Sequence, residues 1–202
     1  MPLETLIALL AFLFPLAYSP GPGNGFFAAL GAAGGLRAAW PALAGYHVAT
    51  FAVTALIGLG VGLALLADPA VATALRVAGA AYVAWLGIAF LRAAHRPENG
   101  GGIGRAVRGR FVDGAALLVL NPKAYMIIGL LFTQFLGPAD DRLGRVLALS
   151  AVFTLNNLVA FVVWTLAGMA LARLLASAGD GRTVNAVFAA SLIGVSIWML
   201  VG

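Results

Sequence analysis

VLALSAVFTLNNLVAFVVWTLAGMALA, residues Val146–Ala172, runs 27 positions without a charged side chain. A helix of about 20 such residues, rising ~1.5 Å each, crosses the ~30 Å hydrocarbon core of a bilayer, and it pairs every backbone N–H and C=O within itself. Five further apolar stretches flank it, at Leu3–Ser19, Pro41–Ala67, Pro69–Leu91, Phe111–Leu136 and Thr183–Gly202. Six crossings are therefore expected. The whole chain agrees, because its 202 residues are 62% hydrophobic and only 9% charged, whereas a soluble domain of this size spends about a quarter of its residues on charge. Collagen-like and disordered classes are excluded by the high hydropathy and the lack of a Gly-x-y period. The absence of cysteine removes disulfide scaffolds, thiol chemistry and thiolate metal sites. The net charge of +5 does not point to nucleic acid, since its basic residues fall in short runs between apolar segments.

Those runs set an orientation. Loops one, three and five carry Arg37, then Arg92, Arg96, Arg105, Arg108 and Arg110, then Arg173 and Arg182, while the opposite side carries Arg76, Arg142 and Arg145. Basic residues near short loops stay cytoplasmic, so both termini of this multi-pass membrane protein are expected outside the cytoplasm. The first apolar run lacks a basic leader, carries Glu4 and ends in a Pro/Gly cluster, unlike a secretory signal. The chain reads as one transmembrane domain in two three-span halves, 1–94 and 111–202, joined by the basic loop 95–110. Halves with an odd number of spans run in opposite directions, so a repeat here would be inverted.

Each half contains one interrupted span. In the first the break is Ser19-Pro20-Gly21-Pro22-Gly23-Asn24, and in the second it is Asn121-Pro122-Lys123. Proline removes a donor and blocks the carbonyl one turn back, and glycine relaxes the backbone, so neither segment continues a regular helix. The freed polar groups are tolerated at membrane depth only inside protein or along a wet cavity. At the first break a split or re-entrant helix and a plain loop both fit the sequence. Broken helices in opposed halves are the sequence mark of a secondary-transporter site. The candidate substrate-binding residues are Pro20, Gly21, Pro22 and Asn24 with Asn121, Pro122 and Lys123. Lys123 is an intramembrane ammonium, able to pair with an anionic group or exchange a proton, or else to snorkel to the interface.

Weaker candidates complete the set. Asn156 and Asn157 lie mid-span and point about 100° apart, so at least one faces the bundle interior. Gln134 follows the second break by about three turns. Coupling candidates are Lys123, Asp113 and His47; Asp113 also reads as a partner for Arg108 or Arg110, and His47 as a hydrogen-bonded structural residue. Gly45 with Ala49, and Gly58, Gly60 and Gly62 with Ala64, read as close helix packing. No HExxH, nucleophile elbow or nucleotide fingerprint is present, so an enzyme is not expected, nor a cofactor or bound metal.

The two breaks also carry a resemblance. SPGP at Ser19–Pro22 with Gly35, Arg37 and Gly45, AGAAYVAWLG at Ala78–Gly87 with Leu91 and Arg92, and Gly114, NPKA at Asn121–Ala124, Gln134 and Phe135 together resemble the LysE/RhtB family of amino-acid exporters. The resemblance implies a six-helix secondary exporter of amino acids or their derivatives from a bacterial cytoplasm, driven by the proton gradient. It departs where family members often place Asp directly after PGP: here Gly23 and Asn24 follow. Leu118, Ala49 and Thr133 depart as well. The rival readings are a non-transporting membrane subunit or scaffold and a metal-ion exporter, the latter short of ligands with two histidines and no carboxylate cluster. The partners expected are a small-molecule substrate, membrane lipid and other copies of the chain.

Overall fold

The computed structural model describes residues 1–61, 68–94, 108–137, 141–176 and 181–201. They form seven helices and, among the described residues, no strand: α1 (Leu3–Tyr18), α2 (Pro22–Gly58), α3 (Pro69–Ala94), α4 (Phe111–Val119), α5 (Pro122–Phe135), α6 (Arg142–Ala176) and α7 (Gly181–Val201). Their ends follow local chemistry. Asp68 Oδ1 accepts the Ala70 N–H at 2.8 Å and Asp141 Oδ1 accepts the Gly144 N–H at 2.8 Å, capping the starts of α3 and α6. Pro22 and Pro122 both occupy the first turn of a helix, where a missing N–H costs nothing.

Helices α2, α3 and α6 are long and apolar enough to cross a membrane, and α4 with α5 passes the same test as a pair bent by 64°. Helix α1 has 16 residues, about 24 Å at 1.5 Å each, short of a full core thickness on its own. The first break is neither a loop nor a continued helix: Ser19 and Gly21 are extended and α2 starts at once. The second apolar run, expected from Pro41, lies in the second arm of a bent helix. Helix α2 already runs from Pro22, bends at Gly34–Gly35, and carries Pro41 inside its second arm. Gly35, at φ 66° and ψ −164°, adopts a backbone that only glycine holds readily.

The longest interfaces join α2 to α6 and α3 to α7, with α4 laid against α2. Two crossings bring backbones into contact. A Cβ on Gly31 would strike the Thr165 carbonyl and one on Gly168 the Ala28 carbonyl; a Cβ on Gly45 would strike the Phe111 carbonyl and one on Gly114 the Ala42 carbonyl. Such small-residue contacts let helices approach where hydrophobic driving force between them is absent. One apolar cluster gathers Phe26, Phe27, Leu30, Tyr46, Phe90 and Leu117, and a second joins α1, α5 and α6 through Leu9, Leu13, Ile128, Leu131 and Phe153. Large apolar side chains also cover the outside, Met126 at 69% and Leu155 at 60% exposed, while Asn24, Asn121, Asn157, Thr50 and Thr165 are buried. That distribution suits a hydrocarbon solvent.

Candidate functional site

The two breaks meet. Lys123, in the first turn of α5, extends its ammonium to the end of α1, donating to Ser19 Oγ at 2.8 Å and to the Ser19 carbonyl at 3.3 Å. Asn24, in the first turn of α2, is buried and donates through Nδ2 to the Ala17 carbonyl at 2.9 Å. The last carbonyls of α1 have lost their helical partners, and these two side chains supply donors. Ser19 Oγ adds a bond to the Leu16 carbonyl at 3.1 Å.

Asn121 holds the other side. Its Oδ1 accepts the Lys123 N–H at 3.1 Å, capping α5, and Tyr46 lines the same cavity beside it. Helix α2 has no side-chain cap, because Gly21 stands at that position. Gly21 also makes room for the ammonium: a Cβ there would lie 3.3 Å from Lys123 Nζ. The positive ends of α2 and α5 thus face the negative end of α1 around one small space. The cavity between them measures about 20 Å³, on the scale of one water molecule. Its walls include Asn157, Phe153 and Phe161 of α6 and Tyr46 of α2. Phe161 packs on Tyr46 and Phe27, with ring centroids 4.7 and 4.8 Å apart.

Of the sequence candidates, Gly21, Pro22, Asn24, Asn121, Lys123 and Asn157 line this cavity. Pro122 starts α5 beside it, half-buried, and Pro20 is exposed at the break. Gln134 lies toward the far end of α5, exposed and outside the cavity lining. Asn156 is half-buried, with its Nδ2 buried and unpartnered. Asp113 belongs to a different pocket, of about 150 Å³, near Arg108, Arg110 and Trp85. Its pairing is with the Arg110 backbone N–H, at 2.8 Å, and with the Tyr82 hydroxyl, at 3.2 Å.

His47 sits behind the cavity wall, its ring 5.7 Å from Phe161 and 5.4 Å from Tyr46. Nδ1 is 2.6 Å from the Leu43 carbonyl, whereas Nε2 is buried without a hydrogen bond of good geometry. Its other side lines an apolar groove of about 590 Å³ with Trp40, Phe51 and Leu155. Among the described residues no three His, Asp or Glu come together as a metal site would need. Sequence reasoning missed Ser19, Tyr46 and Phe161 as contributors. Phe161 carried a signal, standing four residues after Asn157 and so on the same helical face.

The LysE type translocator family matches residues 14–202. A chemotactic transduction protein, ChpE, of Pseudomonas aeruginosa is 37% identical over 78% of each chain. A homoserine/homoserine lactone efflux protein of Salmonella typhimurium is 28% identical over 93% of this chain and 88% of its own. A cysteine/O-acetylserine efflux protein of Escherichia coli K12 is 29% identical over 93% of both. No solved structure matches. With a family match over nearly its whole length, the chain belongs to the LysE type translocator family.

Proposed function

We propose that this protein is a secondary exporter of amino acids or their derivatives across the bacterial inner membrane, driven by the proton gradient. The observation that carries the reading is the bond from Lys123 to Ser19, which ties the break of one half to the break of the other. The relatives named for efflux of homoserine and of cysteine or O-acetylserine support an amino-acid cargo. Pro20, Gly21, Pro22, Asn24, Asn121, Pro122, Lys123 and Asn157 form the substrate site in this reading, with Asn156 and Gln134 at its margins. The substrate carboxylate takes Lys123 and the uncapped N-terminus of α2, and the ammonium takes carbonyls at the end of α1.

Six crossings in two inverted halves accompany the proposal. Helix α1 with residues 22–33 makes the first broken crossing and α4 with α5 the fourth, each restarting on a proline one residue after its cap. Halves 1–94 and 111–202 rock about the shared site, with loop 95–110 cytoplasmic and both termini outside. A cavity of about 20 Å³ is too small for an amino acid, so its walls must separate before loading. His47, Lys123 and Asp113 are the coupling groups in this reading.

The test is efflux from proteoliposomes loaded with labelled amino acids, with and without an imposed pH gradient. Gradient-stimulated efflux that drops at least about tenfold in Lys123→Met, as loss of a charged bond to substrate predicts, supports the reading. Absence of flux for every amino acid removes it. The relative named for chemotactic transduction supports a second reading, a non-transporting membrane component of a signalling assembly. Stable purification with one stoichiometric partner and no flux would select it.

A further inference from the structure

The cavity at the two breaks carries one fixed charge. Lys123 lines it, and among the described residues no Asp or Glu does. The carboxylate of Asp113 lies in the separate pocket beside Arg108 and Arg110. The carbonyls suited to a substrate ammonium are those of Ala17 and Ser19, and the chain's own Asn24 amide and Lys123 ammonium occupy them. Lys123 therefore sits where a cation belongs.

A substrate with one ammonium loads by exchange: its ammonium takes the α1 carbonyls, and its carboxylate takes the displaced Lys123. A second cationic group finds no counter-charge, because the other side chains of the walls are apolar or neutral, the polar ones being the amides of Asn24, Asn121 and Asn157 and the Tyr46 hydroxyl. Two like charges ~6 Å apart at an effective dielectric of ~20 repel by an energy on the order of 100-fold in a rate or equilibrium.

We propose that Lys123 is a charge filter: the site passes amino acids with uncharged side chains and rejects those with cationic ones. The proposal rests on the exporter reading above and names its substrate class. Asn24 contributes, since it is a neutral donor in the first turn of α2, against the ammonium's own binding carbonyls.

Counterflow in proteoliposomes tests this with homoserine, threonine and alanine as neutral probes and lysine and arginine as cationic ones. For the parent protein, lysine and arginine fluxes are expected on the order of 100-fold below the best neutral probe. Lys123→Arg should keep that ratio. Lys123→Gln should shrink it to below about tenfold, since the like-charge repulsion is gone. Should Lys123→Gln fail to fold, Asn24→Asp supplies a carboxylate beside the ammonium and is expected to shrink the ratio likewise. Lysine flux within about threefold of the neutral probes in the parent overturns the charge filter and leaves the exporter standing, because so small a ratio leaves no room for repulsion. A ratio unchanged by both Lys123→Gln and Asn24→Asp also overturns it. No flux of any probe by the parent protein overturns the exporter reading, and the filter with it.

Discussion

Gly23 faces Phe161 so closely that a Cβ would lie 2.6 Å from the ring's Cζ. The Gly23→Ala substitution must therefore displace a ring that walls the cavity and packs on Tyr46 and Phe27. Overpacking of this kind costs about 1–3 kcal/mol, so the variant should melt lower in detergent and export more slowly than the parent. An unchanged melting temperature with full flux would show that the ring moves freely. His47 makes a second residue-scale case. Its Nδ1 is held by the Leu43 carbonyl, and its Nε2 lies buried, without a well-aligned hydrogen bond, in a ring that packs on Tyr46 and Phe161 of the cavity wall and lines the outer groove. In His47→Gln, stimulation of efflux by a pH gradient should disappear while gradient-free counterflow persists. Equal stimulation in variant and parent would remove His47 from the coupling path.

At the scale of helices, glycine has two roles that side-chain contacts separate. Gly31 and Gly168 seat α2 against α6 with each facing a carbonyl of the other helix, whereas a Cβ on Gly129 or Gly194 would meet nothing within 4 Å. Gly31→Ala and Gly168→Ala should each lower the stability of the folded protein by about 1–3 kcal/mol through forced separation of the helices. Their combination should cost less than the sum, because both act on one crossing. Gly129→Ala and Gly194→Ala should be neutral or stabilising by up to ~1 kcal/mol, from helix propensity alone. Thermal unfolding of the four variants in detergent checks the contrast. The reciprocal pair was not legible beforehand: Gly45 with Ala49 stood out as a small-residue pair along one helix, but the partners Gly114 and Gly168 are defined only once α4 and α6 are laid across α2. The breaks were legible. SPGPGN and NPK contain prolines and glycines that no continuous helix accepts, and both became helix restarts.

For the molecule as a whole, the proposed six crossings in two inverted halves make a sidedness prediction. The chain has no cysteine, so single cysteines can be placed and labelled without background. Leu3→Cys and Val201→Cys should react with a membrane-impermeant maleimide added to intact spheroplasts, and Gly101→Cys only after permeabilisation, as the distribution of arginines requires. Labelling of the Gly101 variant from outside would reverse the proposed orientation.

Composition and hydropathy sufficed to put the chain in a bilayer, because a helix's demand for about 20 apolar residues is local and needs no knowledge of neighbours. The positions of the breaks were equally local, being properties of proline and glycine backbone. What sits opposite what was not. The bond from Lys123 to Ser19 spans 104 positions, and Tyr46 and Phe161 reach the cavity only because α2 and α6 cross on small residues. Asn157 and Gln134 looked alike as polar residues in apolar runs, yet one lines the cavity and the other lies exposed. Helical periodicity fixes which residues share a face, but which face turns inward is chosen by packing among helices, and that is a tertiary decision.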